Sequence, residues 1–85
     1  MKITVRYFAL LRELMGRESE VLSWDDAEPT VERLRLLLAD RHPALGDFLR
    51  AKNMLLVAVN REYAAANTRL RDGDEVALLP PVSGG

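Results

Sequence analysis

The chain contains no cysteine among its 85 residues. It therefore cannot form a disulfide, use a thiol nucleophile or bind a metal through thiolates. Lysine is also scarce, because only Lys2 and Lys52 among the twelve Lys and Arg residues are lysines. His42 is the single histidine, and no second ligand or nucleophile stands beside it in the sequence. We expect His42 to have a role at a helix end or at the surface, and we predict no metal site.

The chain also lacks an excess of charge of either sign and any long apolar run. Its formal net charge is −1, with acidic and basic residues mixed along the sequence. This balance predicts neither a nucleic-acid-binding footprint nor a polybasic membrane patch. No stretch approaches the ~20 apolar residues of a membrane span, and Met1-Lys2 leads directly into a strand pattern instead of a signal peptide. We therefore expect a cytoplasmic protein.

The length of the chain limits where a functional site can lie. A domain of 85 residues buries roughly 60 to 65% of its unfolded surface, which suffices for a core but not for an internal active-site cavity as well. No repeat, low-complexity segment or linker divides the sequence. We therefore expect function at the surface or at an end of the chain.

Two strands and a short helix are predicted in the first third of the chain. Apolar alternation predicts a half-buried strand over Lys2–Tyr7 with its odd-numbered residues facing the core. Helical spacing follows over residues 8–15, with Phe8, Leu11 and Leu14 or Met15 on the inner side, and Gly16 is expected to provide a left-handed C-cap. A second strand is predicted over residues 18–24, but alternation alone leaves open whether Val21 faces inward or outward.

The main core helix is predicted to begin at Val31, with Thr30 as its N-cap and Glu32 near its positive end. Its expected inner face contains Val31, Leu34, Leu37 and Leu38. The helix should end near residues 41–42 because Pro43 follows. Residues 44–53 are predicted to form a short helical turn and a loop.

Three further strands are predicted in the second half of the chain. The apolar run over residues 54–59 favours a central strand that is covered on both faces. Residues 61–63 are predicted to form a short edge strand. Gly73 supplies positive φ in a turn that leads to the last strand, Glu75–Leu79.

The order of these elements predicts an α+β domain with a β-grasp, ubiquitin-like fold. We expect a mixed sheet of about five strands packed on one main helix, with the first and last strands adjacent and parallel. The predicted domain covers residues 1–80, and residues 81–85 are predicted to be a flexible C-terminal tail.

The tail has an unusual composition for a chain end. Pro80 and Pro81 cannot extend a sheet ladder and direct the following residues away from it. Residues 81–85 reach about 17 Å when extended, which is enough to enter the pocket of a neighbouring protein. Gly84 and Gly85 lack Cβ atoms, so a narrow channel can close around their backbone. The α-carboxylate of Gly85 is therefore the candidate reactive group.

A candidate partner-binding surface surrounds the base of this tail. Val76 and Leu78 are expected to face the core, which turns Ala77 and Leu79 outward. Together with the tail, these outward residues form an apolar patch suited to a partner protein, which contains Ala77, Leu79, Pro80, Pro81, Val82 and Ser83. Ser83 is not predicted to be a nucleophile, because the sequence positions no base to activate it.

The sequence resembles the small sulfur-carrier subunit of molybdopterin synthase, the MoaD type. The matching segments are Tyr7-Phe8-Ala9, Leu11-Arg12-Glu13, Gly16, Thr30-Val31, Val57-Ala58-Val59-Asn60 and the stretch from Leu70 to Gly85. The ending Pro-Pro-Val-Ser-Gly-Gly is the most specific of them. A terminal Gly-Gly alone is shared with thiazole-pathway sulfur carriers and with ubiquitin-like protein modifiers, which remain the alternatives, as does a binding module with an inert tail.

The resemblance implies a sulfur-transfer cycle centred on Gly85. An ionised α-carboxyl, with a pKa of about 3.5, is a poor acyl electrophile and must be activated. The family analogy implies that an ATP-dependent, E1-like enzyme adenylates Gly85 and that a sulfur donor converts the adenylate into a thiocarboxylate. The tail would then enter the large synthase subunit, which carries the catalytic residues, and give its sulfur to a cyclic pterin precursor. The resemblance thus implies no tightly bound cofactor and no enzymatic activity for the chain alone.

Overall fold

The structure is a computed structural model that describes residues 1–50 and 56–80, without the side chains of residues 48–50. Strands and helices follow one another along this part of the chain as β1 Lys2–Tyr7, α1 Leu10–Met15, β2 Ser19–Ser23, α2 Val31–Arg41, α3 Pro43–Arg50, β3 Leu56–Val59, β4 Glu62–Tyr63 and β5 Glu75–Leu79. Within the same residues, no helix is both long enough and apolar enough to cross a membrane.

The five strands form one mixed sheet in the order β2-β1-β5-β3-β4. The first and last strands pair in parallel at its centre, with Thr4 opposite Glu75 and Tyr7 opposite Leu78, while the other pairings are antiparallel. Side chains from the helices and from one face of the sheet form a single core cluster. This arrangement confirms the predicted ubiquitin-like β-grasp fold.

Helix α2 forms the main helical contribution to this core. Thr30 caps it as predicted, because its hydroxyl accepts a hydrogen bond from the Arg33 backbone N–H at 3.3 Å. Three predicted residues, Val31, Leu34 and Leu38, are buried, whereas Leu37 packs at the margin of the core. Each fully buried aliphatic side chain contributes roughly 1.5 to 3 kcal/mol of transfer free energy.

The orientation of β2, which the sequence left open, is settled by its pairing with β1. Leu22 lies opposite Ile3 in the register, and both residues are buried. Val21 is 63% exposed on the other face. Trp24, two residues after Leu22, is buried with it, so the large aromatic side chain closes the core at this end of β2.

Helix α1 differs from the prediction in its inner face. Leu11 is buried and Met15 packs against the core, but Phe8 and Leu14 are exposed. The reason is that the helix begins at Leu10, two residues later than expected, and a six-residue helix turns few side chains toward the sheet. Its predicted end is confirmed, since Gly16 adopts φ 69° and its N–H donates to the Arg12 carbonyl at 2.9 Å.

Two predictions for the middle of the chain require correction. Residues 43–50 form a complete helix, α3, because Pro43 both ends α2 and begins α3, a position that proline tolerates. Strand β3 is covered on both faces only in part: Val57 packs in the core and Ala58 on the outer face is buried, but Leu56 on the outer face is exposed. The remainder of the predicted strand, residues 54–55, lies outside the described residues.

The remaining predictions for the second half of the chain hold. Strand β4 is a short edge strand, and Gly73 adopts φ 87° in the turn before β5. In β5, Val76 and Leu78 are completely buried, while Ala77 and Leu79 are half-buried on the outer face.

Candidate functional site

The C-terminal end of β5 is held at the centre of the sheet. On one side, Leu78 lies opposite Tyr7 of β1, and the Phe8 N–H donates to the Leu78 carbonyl at 3.3 Å. On the other side, Leu79 lies opposite Leu56 of β3. The base of the predicted tail is thus fixed by hydrogen-bonded strands on both sides, which makes it a rigid support.

A shallow groove of about 310 Å³ lies on the outer face of the sheet beside this point. Its floor is formed by Ala58 and Ala77, which are opposite each other in the β3–β5 register, and by Leu79. Phe8 and Tyr63 form the walls, and Tyr63 is 73% exposed. Small residues in the floor and aromatic residues at the rim are features of a surface that accepts side chains from a partner.

We name this surface the docking face and define it as Arg6, Phe8, Ala58, Arg61, Tyr63, Glu75, Ala77 and Leu79. Two of its charges neutralise each other, because Arg6 Nη1 lies 3.8 Å from Glu75 Oε2. The Arg6 guanidinium also lies 5.6 Å from the centroid of the Phe8 ring, within cation–π range. Arg61 forms no ion pair with any residue in the described part of the chain. The docking face therefore presents an apolar floor with one uncompensated positive charge.

Arg61 occupies an energetically unfavourable backbone conformation. It follows Asn60 in the two-residue turn between β3 and β4, and both residues have positive φ, 49° for Asn60 and 72° for Arg61. Asn60 is held by its side chain, which donates to Asp74 and accepts from the Glu75 backbone N–H, both at 3.0 Å. Arg61 lacks such bonds, and a left-handed residue with a Cβ costs roughly 1 to 2 kcal/mol. A non-glycine residue at such a position marks a candidate functional residue.

The structure therefore sorts the residues predicted to bind partners into two groups. Ala77 and Leu79 lie in the docking face, and Pro80 is half-buried directly after β5. The rest of that prediction, together with the candidate reactive residues, lies outside the described residues and comprises Pro81, Val82, Ser83, Gly84 and Gly85.

Several docking-face residues were missed by sequence reasoning. Phe8 was assigned to the inner side of α1, although it precedes the helix and is exposed beside Leu78. Tyr63 was predicted only as part of an edge strand. The sequence carried no signal that set Phe8 apart, because it has the same helical spacing to Leu11 as an inner residue would have, and its exposure is known only from the structure.

His42 lies at a helix end, as predicted, as the C-cap of α2. Its Nε2 atom is 3.2 Å from Glu20 Oε2 but forms no hydrogen bond there. The same Glu20 oxygen accepts a hydrogen bond from the Tyr7 hydroxyl at 2.6 Å. Burial, followed by the bond and charge of Glu20, raises the pKa of Tyr7 well above its ordinary value. Over residues 1–50 and 56–80, no cluster of three or more potential metal ligands occurs.

The strand order and the helices packed on one face of the sheet define the class of protein as a ubiquitin-like β-grasp domain. The chain belongs to the ThiS family, whose model matches residues 5–85. It is also 41% identical to the molybdopterin synthase sulfur carrier subunit of Escherichia coli, over 98% of this chain and 99% of that protein. The family resemblance drawn from the sequence is thereby confirmed.

Solved structures show the same architecture. Small archaeal modifier protein 1 from H. volcanii superimposes with a TM-score of 0.80 at 32% identity, covering 95% of this chain and 98% of that chain. A chain of the complex of subunits 1 and 2 of molybdopterin-converting factor from Helicobacter pylori matches with a TM-score of 0.69 at 28% identity, covering 100% of both chains. The likeness therefore extends both to a subunit of a two-protein complex and to a protein named as a modifier.

Proposed function

We propose that this chain is the sulfur carrier subunit of a molybdopterin synthase and that Gly85 carries the sulfur as a thiocarboxylate. The observation that supports this proposal best is the position of β5. The strand is fixed at the centre of the sheet, runs into Pro80 beside the docking face, and is followed in sequence by Pro-Val-Ser-Gly-Gly. The name of the E. coli relative agrees with this function.

The first half of the proposed cycle activates the terminus. An oxygen of the Gly85 carboxylate attacks the α-phosphorus of ATP on an E1-like enzyme, which forms an acyl adenylate and releases pyrophosphate. Hydrosulfide from a sulfur source then attacks the acyl carbon, the C–O bond to AMP breaks, AMP and a proton leave, and a thiocarboxylate remains. Activation is required because an ionised carboxylate is a poor electrophile at neutral pH. Since the chain has no cysteine, the sulfur is held by the terminus.

The second half of the cycle takes place in the large synthase subunit. The tail enters that subunit and gives its sulfur to a cyclic pterin precursor, and the catalytic residues for this step belong to the large subunit. The complex of two subunits known for the H. pylori protein supports such an assembly. In this proposal the chain is not an enzyme on its own, binds no cofactor tightly, and works in the cytoplasm.

The docking face would hold the chain against both partners in turn. Its apolar floor offers contact area, and the unpaired Arg61 favours an acidic group on each partner. The docking face ends at Leu79, so residues 80–85 remain to reach the reaction centre. Pro80, Pro81, Val82 and Ser83 would line the entrance of the partner's channel, and Gly84 would pass through its narrowest part.

A reconstituted sulfuration assay tests this proposal with variants that shorten the tail or add a side chain to it. Deleting Gly85 moves the carboxyl back by about 3.5 Å, and we expect sulfur transfer to fall at least about 100-fold. Gly84→Val should also fail, because a branched side chain must pass through a channel shaped for bare backbone. Asp40→Asn, an exposed change on α2, serves as the control that retains activity. Undiminished transfer by the chain lacking Gly85 would leave the tail as a docking element only.

A second candidate function is a ubiquitin-like protein modifier, which the similarity to small archaeal modifier protein 1 favours. In that case the activated Gly85 would form an amide bond with a lysine of another protein. The two functions differ in their products, because a modifier accumulates in higher-mass conjugates and a sulfur carrier returns as the free chain. A sulfur carrier for the thiazole pathway, the other alternative left open by the sequence, would donate sulfur without the large synthase subunit.

A further inference from the structure

Strand β2 forms an open edge of the sheet built by the described residues. Along the edge of β2 that faces β1, the Tyr7 N–H donates to the Glu18 carbonyl at 2.8 Å, and the Trp24 N–H donates to the Met1 carbonyl at 2.9 Å. In an antiparallel pair, every second residue of a strand bonds to the neighbouring strand through its N–H and C=O groups. In β2 these are the even-numbered residues, which therefore bond to β1. The N–H and C=O groups of Ser19, Val21 and Ser23 therefore point away from the sheet.

This edge lacks the features that usually prevent strands from pairing between molecules. Ser19, Val21 and Ser23 are exposed and uncharged, and no proline or lysine interrupts the strand. The inward Glu20 is engaged by the Tyr7 hydroxyl. The opposite edge is different, because β4 has two residues and contains the charged Glu62. The β2 edge is thus a free pairing template, whereas the β4 edge is blunted.

We propose that the β2 edge pairs antiparallel with the β2 edge of a second copy of this chain, about a two-fold axis at Val21. In this register Val21 faces Val21 of the second copy, and Ser19 faces Ser23. The residues flanking the strand are then complementary in charge, because Arg17 meets Asp25 of the second copy and Asp25 meets its Arg17. Because of this charge match, we choose a second copy of the chain as the partner of the β2 edge instead of a strand from another protein.

Both flanking charges are available for this contact. Arg17 is exposed and forms no ion pair with a carboxylate within residues 1–50 and 56–80, although its charge acts on the nearby Tyr7. The Asp25 side chain is 97% exposed, and one of its oxygens accepts a bond from the Met1 amino group at 2.9 Å, which leaves the other open. Each copy contributes one such cation and one such anion, so the symmetric contact contains two ion pairs.

The helix layer presents a groove of mixed character on the same side of the molecule, with the apolar Trp24, Leu36 and Leu37 beside the charged Asp26, Arg33 and Asp40. This groove of about 450 Å³ lies between Trp24, which follows β2, and the outer side of α2. Leu36 lines this groove and is 57% exposed, which is unusual for a large aliphatic residue on a core helix. Extension of the sheet across β2 would bring the helix layer of the second copy next to this groove, so that both layers continue from one copy into the other.

The pairing leaves the proposed sulfur-carrying site free. Strand β5 is the second strand from β2 and lies about 10 Å away at ordinary strand spacing. Most of the docking face lies on β5, β3 and β4, farther from the two-fold axis, and only Arg6 of β1 and Phe8 directly after it lie nearer to β2. A five-residue ladder with a few flanking contacts falls below the ~1,200 Å² of a standard interface, so the association should be weak. This inference does not depend on the proposed function.

Two measurements test the pairing: analytical ultracentrifugation and amide hydrogen exchange by NMR. The protein concentration would run from about 20 μM to 1 mM, a range chosen for an interface of this size. We expect the mass to rise from one copy to two across this range. The amides of Ser19, Val21 and Ser23 should exchange rapidly in dilute protein and slowly in concentrated protein, whereas Glu20 and Leu22 should be protected in both. A monomer at every concentration, or a dimer in which these three amides stay unprotected, would overturn the proposal.

Charge variants test the register itself. Val21→Lys places two like charges opposite each other and should weaken the dimer by at least about tenfold. Arg17→Asp and Asp25→Arg should each weaken it, whereas the double variant exchanges the two charges and should restore it. Glu62→Lys, on the opposite edge strand, is the matched control and should leave association unchanged. Failure of the double variant to recover, while it remains folded by circular dichroism, would reject the Arg17–Asp25 register.

Discussion

The two faces of β5 have different roles: one packs in the core, and the other contributes to the docking face. Val76 and Leu78 are completely buried beneath the helices, whereas Ala77 and Leu79 form the floor of the docking face. Since adjacent side chains of a strand point to opposite faces, the same five residues complete the core and present a surface to partners. Changes on the inner face should therefore alter stability, and changes on the outer face should alter binding.

The largest expected effect is on the inner face. Leu34 of α2 is buried in the core, and Leu34→Ala should reduce the free energy of unfolding by roughly 2 to 5 kcal/mol by leaving a cavity. Chemical denaturation measures this loss, and Leu36→Ala on the exposed side of the same helix is the matched control. A loss for Leu34→Ala no greater than that of the control would show that the core face of α2 is wrongly assigned.

On the outer face, Leu79→Asp should weaken binding while leaving the fold intact. The change places an unpaired charge in an apolar contact, and we expect a loss of about 2 kcal/mol or more, roughly 30-fold in affinity. Calorimetric titration against the large synthase subunit and against the activating enzyme measures the effect. Val21→Asp, also on the outer face but on β2, should bind normally in dilute protein. Unchanged affinity of Leu79→Asp for both partners would remove the docking face from the proposal.

The pH dependence of stability tests the role of Tyr7, which lies on the inner face of the sheet. Its hydroxyl bonds to the partly buried Glu20, so Tyr7→Phe should cost about 1 to 3 kcal/mol at neutral pH. Because the folded-state pKa of Tyr7 is raised above the ordinary 10.0, the unfolded chain loses this proton first as pH rises. Stability should therefore fall above about pH 10, by at most about 1.4 kcal/mol per pH unit. Denaturation of both proteins from pH 8 to 11.5 measures this slope, and an equal alkaline loss in Tyr7→Phe would contradict the assignment to Tyr7.

The smallest predicted effect has opposite signs for stability and binding. Arg61→Gly removes a left-handed residue with a Cβ and should raise stability by up to about 1 kcal/mol, after the greater entropy of glycine in the unfolded chain is counted. It should also weaken partner binding several-fold, because it removes the unpaired charge of the docking face. Asn60→Gly is the contrasting control, since it loses the bonds to Asp74 and Glu75 and should destabilise the turn. Thermal unfolding and titration of both variants decide whether strain at Arg61 is retained for binding.

Sequence patterns predicted the elements whose periodicity is long and regular. The strands β1 and β5, the capped start of α2 and the glycine turns at Gly16 and Gly73 all follow from local physical chemistry. The orientation of β2 could not be predicted in this way, because an alternating pattern does not say which of the two faces is buried. Pairing with β1 decides it by placing Leu22 opposite Ile3. The exposure of Leu56 on β3 was also missed, since an apolar run does not reveal that helices cover one face alone.

The docking face was only partly predictable for a similar reason. Ala77 and Leu79 followed from alternation in β5, but Phe8, Ala58 and Tyr63 join them only through the strand order β1-β5-β3-β4. The strain at Arg61 depends on a turn conformation that residue types do not specify, because Asn-Gly is the usual pair for such a turn.

Mass spectrometry of the C-terminal peptide tests the central proposal most directly. The protein would be incubated with its activating enzyme, ATP and a sulfur source, and the chain lacking Gly85 would be treated in parallel. The account predicts that one oxygen is replaced by sulfur in the wild-type protein, confined to the peptide that ends at Gly85, and that the shortened chain remains unmodified. Sulfur located on any other peptide, or equal modification of the chain lacking Gly85, would contradict the assignment of Gly85 as the sulfur carrier.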